Sequence, residues 1–213
     1  VNLWIFDKRN NTMRSFTRVA LVVALGLSVA PVVWAEDWKV AKDEEGIQVS
    51  LSEVPGSKYK AYRGVALIKA PLAKVRALQE DVVGACAWIH ECQSQKLLKH
   101  EGDQSWTYSR FNTPWPVTPR DSVVHVVTTQ GGDGSLTRTL TGEPTYVPEE
   151  KGFVRVAEVK GFWKLVPKGD ATEVTYQVHT EPGGSVPSWL ANKFVVEAPF
   201  NTLKGLRARA EAR

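Results

Sequence analysis

The sequence predicts an α+β domain in which one long C-terminal helix lies against one large curved antiparallel sheet. Three observations carry this reading. Nearly everything from Trp38 to Thr180 reads as short strands divided by turn residues. The last stretch, Gly183-Gly184-Ser185-Val186-Pro187 followed by the run from Ser188 to about Ala210, reads as a helix of ~22 residues, roughly 33 Å at 1.5 Å per residue. The chain has 213 residues, 43% of them hydrophobic, which suffices for one domain with a substantial core.

The opening residues are set apart by composition. Met13-Arg14-Ser15-Phe16-Thr17-Arg18 is a short basic segment, Val19 to Ala30 is apolar, and Val33-Trp34-Ala35 supplies a small-residue cleavage pattern before Glu36-Asp37. We read 13–35 as a cleavable export signal and 1–12 as an over-extended start, leaving 36–213 as the working domain. An uncleaved membrane anchor is the competing reading. Pro31 breaks the apolar run short of the ~20 residues a span needs.

The net charge of +4 and a pI near 9.0 invite a nucleic-acid reading. The charge is misplaced for it. Residues 1–35 hold Lys8, Arg9, Arg14 and Arg18 against Asp7, so 36–213 carry 23 basic and 22 acidic side chains. A near-neutral body argues against capture of phosphate backbones, so no nucleic-acid partner is expected.

Taken in order, Trp38 to Lys42 and Ile47 to Val54 form a hairpin across Asp43-Glu44-Glu45-Gly46. Ile47, Val49 and Leu51 alternate with polar residues, the period of a half-buried strand. A third strand runs from Tyr59 to Ile68. Pro71 opens a short helix in which Leu72, Val75 and Leu78 keep helical spacing, and Asp81 to Ile89 is expected to be a second. Strands are then expected near 92–100, 104–112, 121–130, 135–146, 153–166 and 171–181. Their bounding turns include Gly131-Gly132-Asp133-Gly134 and Pro167-Lys168-Gly169-Asp170, and such short connections favour sequential antiparallel hairpins.

The closing helix carries two apolar stripes. Leu190, Phe194 and Ala198 form one; Val196, Phe200, Leu203 and Leu206 form its neighbour. Pro199 removes one backbone donor from its interior, so a kink is expected there. Lys204, Arg207 and Arg209 lie near the end where the helix dipole favours cations. Ser185 reads as part of the approach to the helix rather than as a nucleophile.

Trp88, the run Pro114-Trp115-Pro116-Val117-Thr118-Pro119-Arg120-Asp121 and the segment Gly183 to Arg207, in that order and spacing, resemble the START (StAR-related lipid transfer) family. That family sits in the helix-grip superfamily, which includes Bet v 1-like proteins, and the resemblance covers essentially all of 37–213. It implies a strongly curved sheet gripping the long helix around an apolar tunnel for one lipid or other hydrophobic small molecule. It also implies transient contact with a membrane surface and no cofactor. Together with the leader it points to a periplasmic or secreted lipid carrier. Some sterol-binding members bury a carboxylate and an arginine on adjacent strands. The matching positions here, Thr107 and Val126, are uncharged.

On this resemblance Thr107, Val124, Val126, Trp163, Tyr176 and Phe194 are candidates to line the tunnel, each with ordinary core packing as its alternative. Arg120, the Gly183-Gly184 pair and Pro199 are candidates for its mouth and lid. Arg120 reads first as a structural ion pair or cap and second as a contact for an anionic head group. Trp115 reads first as a turn plug and second as a membrane-touching aromatic. Trp88 is expected to pack beneath the short helices.

Cys86 and Cys92 are either bridged or two small buried thiols, and they lack the partners of a metal site. His90-Glu91-Cys92 is the nearest approach to a catalytic cluster, but adjacency alone orients nothing. The competing function is a cyclase or hydrolase of the same superfamily using the tunnel as its active site, for which these strands offer mainly Thr107 and Tyr176. Ligand identity, direction of transfer and oligomeric state are not fixed by the sequence.

Overall fold

The computed structural model describes residues 37–212, so the expected leader lies outside the described residues. β1 (Lys39–Glu44) and β2 (Ile47–Ser52) form the opening hairpin. Its two-residue turn, Glu45-Gly46, has φ of 52° and 68°, the doubly positive geometry that matches the twist of a tight hairpin. β3 (Ala61–Ile68) follows, then α1 (Leu72–Glu80).

The expected second short helix is present as a single 3-10 turn, Gly84–Ala87, rather than over the whole of 81–89. The reason is local: Asp81 Oδ1 accepts the Gly84 N–H at 3.0 Å, a side-chain bond that competes with helix continuation. A disulfide joins Cys86 to Cys92, which resolves the two readings of these cysteines in favour of the bridge.

β4 (Cys92–Glu101), β5 (Gln104–Phe111), β6 (Arg120–Gln130) and β7 (Leu136–Gly142) then run as an antiparallel meander. The strand expected over 135–146 stops at Gly142, and the one expected over 153–166 is divided. Val154–Arg155 is a two-residue strand, β8, parallel to the start of β6, and β9 covers Glu158–Lys168. Arg155 explains both departures. Its guanidinium donates to the carbonyls of Pro144, Val147 and Pro148, drawing 143–153 into a loop, and the two prolines have no N–H to give a ladder. β10 (Ala171–Glu181) and α2 (Ser188–Glu211) complete the fold.

The sheet order is β1-β2-β3-β10-β9-β7-β6-β5-β4, with β8 attached to β6. The two helical segments carry the chain from β3 across to β4, so β3 pairs with β10 rather than with its successor. This produces a large curved antiparallel sheet closed over by α2, which packs on β2 and β3. Among the described residues no helix is long and apolar enough to cross a membrane.

The core fills one half of the grip. Ile47, Val49, Ile68, Leu165 and Val174 from the sheet meet Val75 of α1 and Phe200, Leu203 and Leu206 of α2, all nearly or fully buried. Each such side chain is worth about 1.5–3 kcal/mol of burial. Gly205 lets α2 touch the 3-10 turn, since a Cβ there would collide with the Trp88 carbonyl. The basic residues near the helix end serve the hairpin more than the dipole. Lys204 Nζ lies 2.7 Å from Glu45 Oε1, and Arg207 Nη1 donates to the Glu45 carbonyl at 2.6 Å. Of the three, only Arg209 occupies the last turn.

Candidate functional site

The other half of the grip is hollow. A cavity of about 350 Å³ lies between the inner face of the sheet and α2, at the small end of the ligand-pocket range of about 300–1,000 Å³. Strand alternation builds its wall. Thr107 of β5 stands opposite Val124 of β6, and Ser105 opposite Val126. Trp163 of β9 stands opposite Tyr176 of β10, their rings stacked at 3.7 Å. Thr107, Val124, Val126, Trp163, Tyr176 and Phe194 all lie on this wall.

The two stripes of α2 divide the work. Leu190, Phe194 and Ala198 face the cavity, whereas Phe200, Leu203 and Leu206 enter the packed core. The helix is therefore the wall of the hollow in its first half and a core element in its second.

Arg120 is buried, with 6% of its surface exposed, on the cavity wall. Its guanidinium donates to the carbonyls of Thr118, Pro182 and Gly183, so it caps two loops. The cap reading describes it, and the ion pair belongs to its neighbour: Asp121, 1% exposed, receives Arg155 Nε and Nη2 at 2.9 Å each. Burial pulls the Arg120 guanidinium below its ordinary value, with Tyr59 acting weakly the other way.

The lid candidates settle differently. Gly183 and Gly184 form a turn with φ of 68° and 58°, and a Cβ on Gly183 would stand 2.5 Å from the Arg155 carbonyl oxygen. They are a tied turn at the cavity edge. Pro199 is buried over Gly64 of β3 and is not on the cavity wall. Trp115 overturns the plug reading: it is 92% exposed, because the loop holding it turns the ring outward while Pro114 and Val117 line the cavity.

Several wall residues escaped the sequence reading. Tyr62 of β3 meets Tyr176 edge-on at 5.3 Å, and burial is the main cause raising the pKa of both phenols, so neither ionises near neutrality. Trp88 is buried as expected, but it also lines the cavity and meets Trp163 edge-on at 6.2 Å. Arg138 of β7 and Gln79 of α1 are buried on the same wall. Their signal was in the sequence. Leu136, Arg138 and Leu140 alternate, which puts a cation on an inward face, and Gln79 follows Val75 by one helical turn.

Cys92 is in the disulfide and has no thiol, and no metal-holding cluster of His, Cys, Asp and Glu occurs among the described residues.

Residues 24–212 match the family model of the START domain. The chain belongs to the START family. An uncharacterized protein of Pseudomonas aeruginosa is 60% identical over 202 residues, covering 94% of this chain and all of that one. The crystal structure of a STAR-related lipid transfer protein from Xanthomonas axonopodis superposes with a TM-score of 0.78 at 42% identity, covering 82% of this chain and 99% of that one. Human StAR-related lipid transfer protein 5 shares the fold, with a TM-score of 0.72 at 20% identity over 82% of this chain and 86% of that one. Thr107 and Val126, the two positions singled out in the sequence as uncharged, both lie on the cavity wall of this START domain.

Proposed function

We propose that this START domain is an exported, non-enzymatic lipid carrier that encloses one hydrophobic ligand between its sheet and α2. The observation that carries the reading is the cavity itself, an unfilled, mainly apolar space in the middle of an otherwise well-packed domain. A buried methylene is worth ~0.8 kcal/mol, so a 14-carbon chain left in water forfeits on the order of 11 kcal/mol. A carrier must enclose such a chain, and this wall is built to do so. The likeness to a STAR-related lipid transfer protein supports the same reading.

Membrane contact is the second part of the proposal. Trp115 and Trp189 are 92% and 70% exposed, and each adjoins a cavity-lining residue, Pro114 and Leu190. Two exposed indoles beside the hollow suit the interfacial region of a bilayer. The export-signal reading of residues 13–35 supports a working site in the periplasm or outside the cell. The enzymatic alternative gains no support from the wall, where Tyr176 is stacked against Trp163 and held protonated. The test is solvent extraction of the natively purified protein followed by mass spectrometry. Recovery of a stoichiometric lipid is expected, and failure either to carry or to take up any lipid would defeat the proposal.

A further inference from the structure

The cavity is apolar along most of its length, but toward one end three buried N–H donors cluster without acceptors. Arg138 projects inward from β7 between Leu136 and Leu140, is 8% exposed, and has no ion pair among the described residues. Its Nη1 donates to the Gln79 carbonyl at 2.7 Å, while its Nε has no partner. Gln79 Nε2 and Trp88 Nε1 are likewise buried without partners. The residues that carry these donors come from β7, α1 and the end of the 3-10 turn, and all three residues line the same cavity. They are neighbours: Gln79 is bonded to Arg138, Arg138 stands opposite Trp163 across the β7–β9 ladder, and Trp163 meets Trp88.

A buried guanidinium with one unpartnered N–H and no ion pair, beside two further N–H groups with nothing to accept them, is a costly arrangement for a fold to keep. It becomes favourable when an acceptor arrives. The nearby carboxylate, Glu80, attracts Arg138 through space but makes no bond to it, and its Oε1 is held by Arg76 at 2.8 Å. The acidic side chain on the cavity wall, Glu91, is exposed. We propose that this end of the cavity receives the anionic head group, carboxylate or phosphate, of an acidic amphiphile bound head-inward on Arg138, Gln79 and Trp88.

The rest of the geometry agrees. Three unpartnered donors match an acceptor-only head, whereas an ammonium head would meet the guanidinium charge and an alcohol would bring a donor of its own. Arg138 pairs with Thr128, eight residues along β6 from Arg120. That separation is roughly 26 Å of strand, leaving the apolar wall between the donors and the exposed tryptophans for the chain.

This inference rests on the lipid-carrier reading, and its test separates the two. Delipidated protein at about pH 8, where a free carboxyl is ionised, is titrated with myristic acid, its methyl ester, a 14-carbon lysophosphatidic acid and inorganic phosphate. Binding is followed by tryptophan fluorescence. The acid and the phosphate monoester are expected to bind at least about tenfold more tightly than the ester. Arg138→Met is expected to remove that preference while leaving ester binding in place, and Gln79→Leu to narrow it. The wild-type comparison stands even if a variant fails to fold. Equal affinity for acid and ester overturns the inference alone, as does a preference that survives Arg138→Met. Tight binding of inorganic phosphate with no gain from the chain also overturns it. Failure of every chain-bearing probe overturns the carrier reading and this inference together.

Discussion

Arg155→Met tests how the loop after β7 is held to the sheet. Arg155 makes two 2.9 Å bonds to the buried Asp121 carboxylate and donates to three loop carbonyls. Methionine fills much of the same volume but supplies none of these donors. It leaves the Asp121 carboxylate the Tyr108 Oη bond at 2.9 Å in place of a full charge partner. Breaking a buried pair by removing one partner costs about 3–5 kcal/mol. At about 2–4 °C per kcal/mol for a domain of this size, Tm should fall by roughly 6–20 °C.

The pH dependence gives an independent readout of the same contact. Burial acts to raise the Asp121 carboxyl, but the bonds from Arg155 and Tyr108 outweigh it and hold it below the usual range. A folded pKa below the unfolded value of about 3.9 means stability that is fully present above that pH and is lost as pH falls through the folded pKa. Without Arg155, burial dominates, and acid unfolding should begin at a higher pH than in the wild type. The assay is denaturant unfolding between pH 3 and 7. A loss below about 1 kcal/mol with an unchanged acid limb would refute the reasoning, since that is the scale of an exposed pair.

Other consequences can be checked alongside it. Replacing both Cys86 and Cys92 by Ala opens a short loop and should cost about 2 kcal/mol on the chain-entropy account, read as a lower denaturant midpoint. Gly205→Ala drives a Cβ into the Trp88 carbonyl and should cost about 1–3 kcal/mol, whereas Ala208→Gly on the exposed face should cost no more than about 1 kcal/mol. Trp115→Ala with Trp189→Ala should leave Tm nearly unchanged yet weaken sedimentation with vesicles, since both indoles face solvent. Equal vesicle binding would remove these two residues from the membrane contact.

The legible part of the fold was the part written in periodicity. The alternation of Ile47, Val49 and Leu51 and the paired stripes of α2 each name a face, and each face was found. What stayed hidden depended on partners distant in sequence. Nothing near Arg155 shows that it would meet Asp121 and interrupt a strand. Asp81 reads as an ordinary helix residue until its side chain is seen to take the Gly84 amide. At the candidate site, the apolar and aromatic wall was accessible through strand alternation and family resemblance. Arg138 was missed for a different reason. Its inward position was readable from the alternation with Leu136 and Leu140, but nothing in the sequence shows that it would be buried with a donor unpartnered.

Native mass spectrometry of the intact protein, beside a Thr107→Phe variant, tests the central claim most directly. Thr107 faces the hollow, so phenylalanine there should fill space rather than break packing, and the variant should fold. The account predicts a wild-type population carrying one non-covalent ligand per chain and a variant that carries little or none. A ligand-free wild type that also takes up nothing from lipid vesicles, or a variant loaded as fully as the wild type, would contradict it.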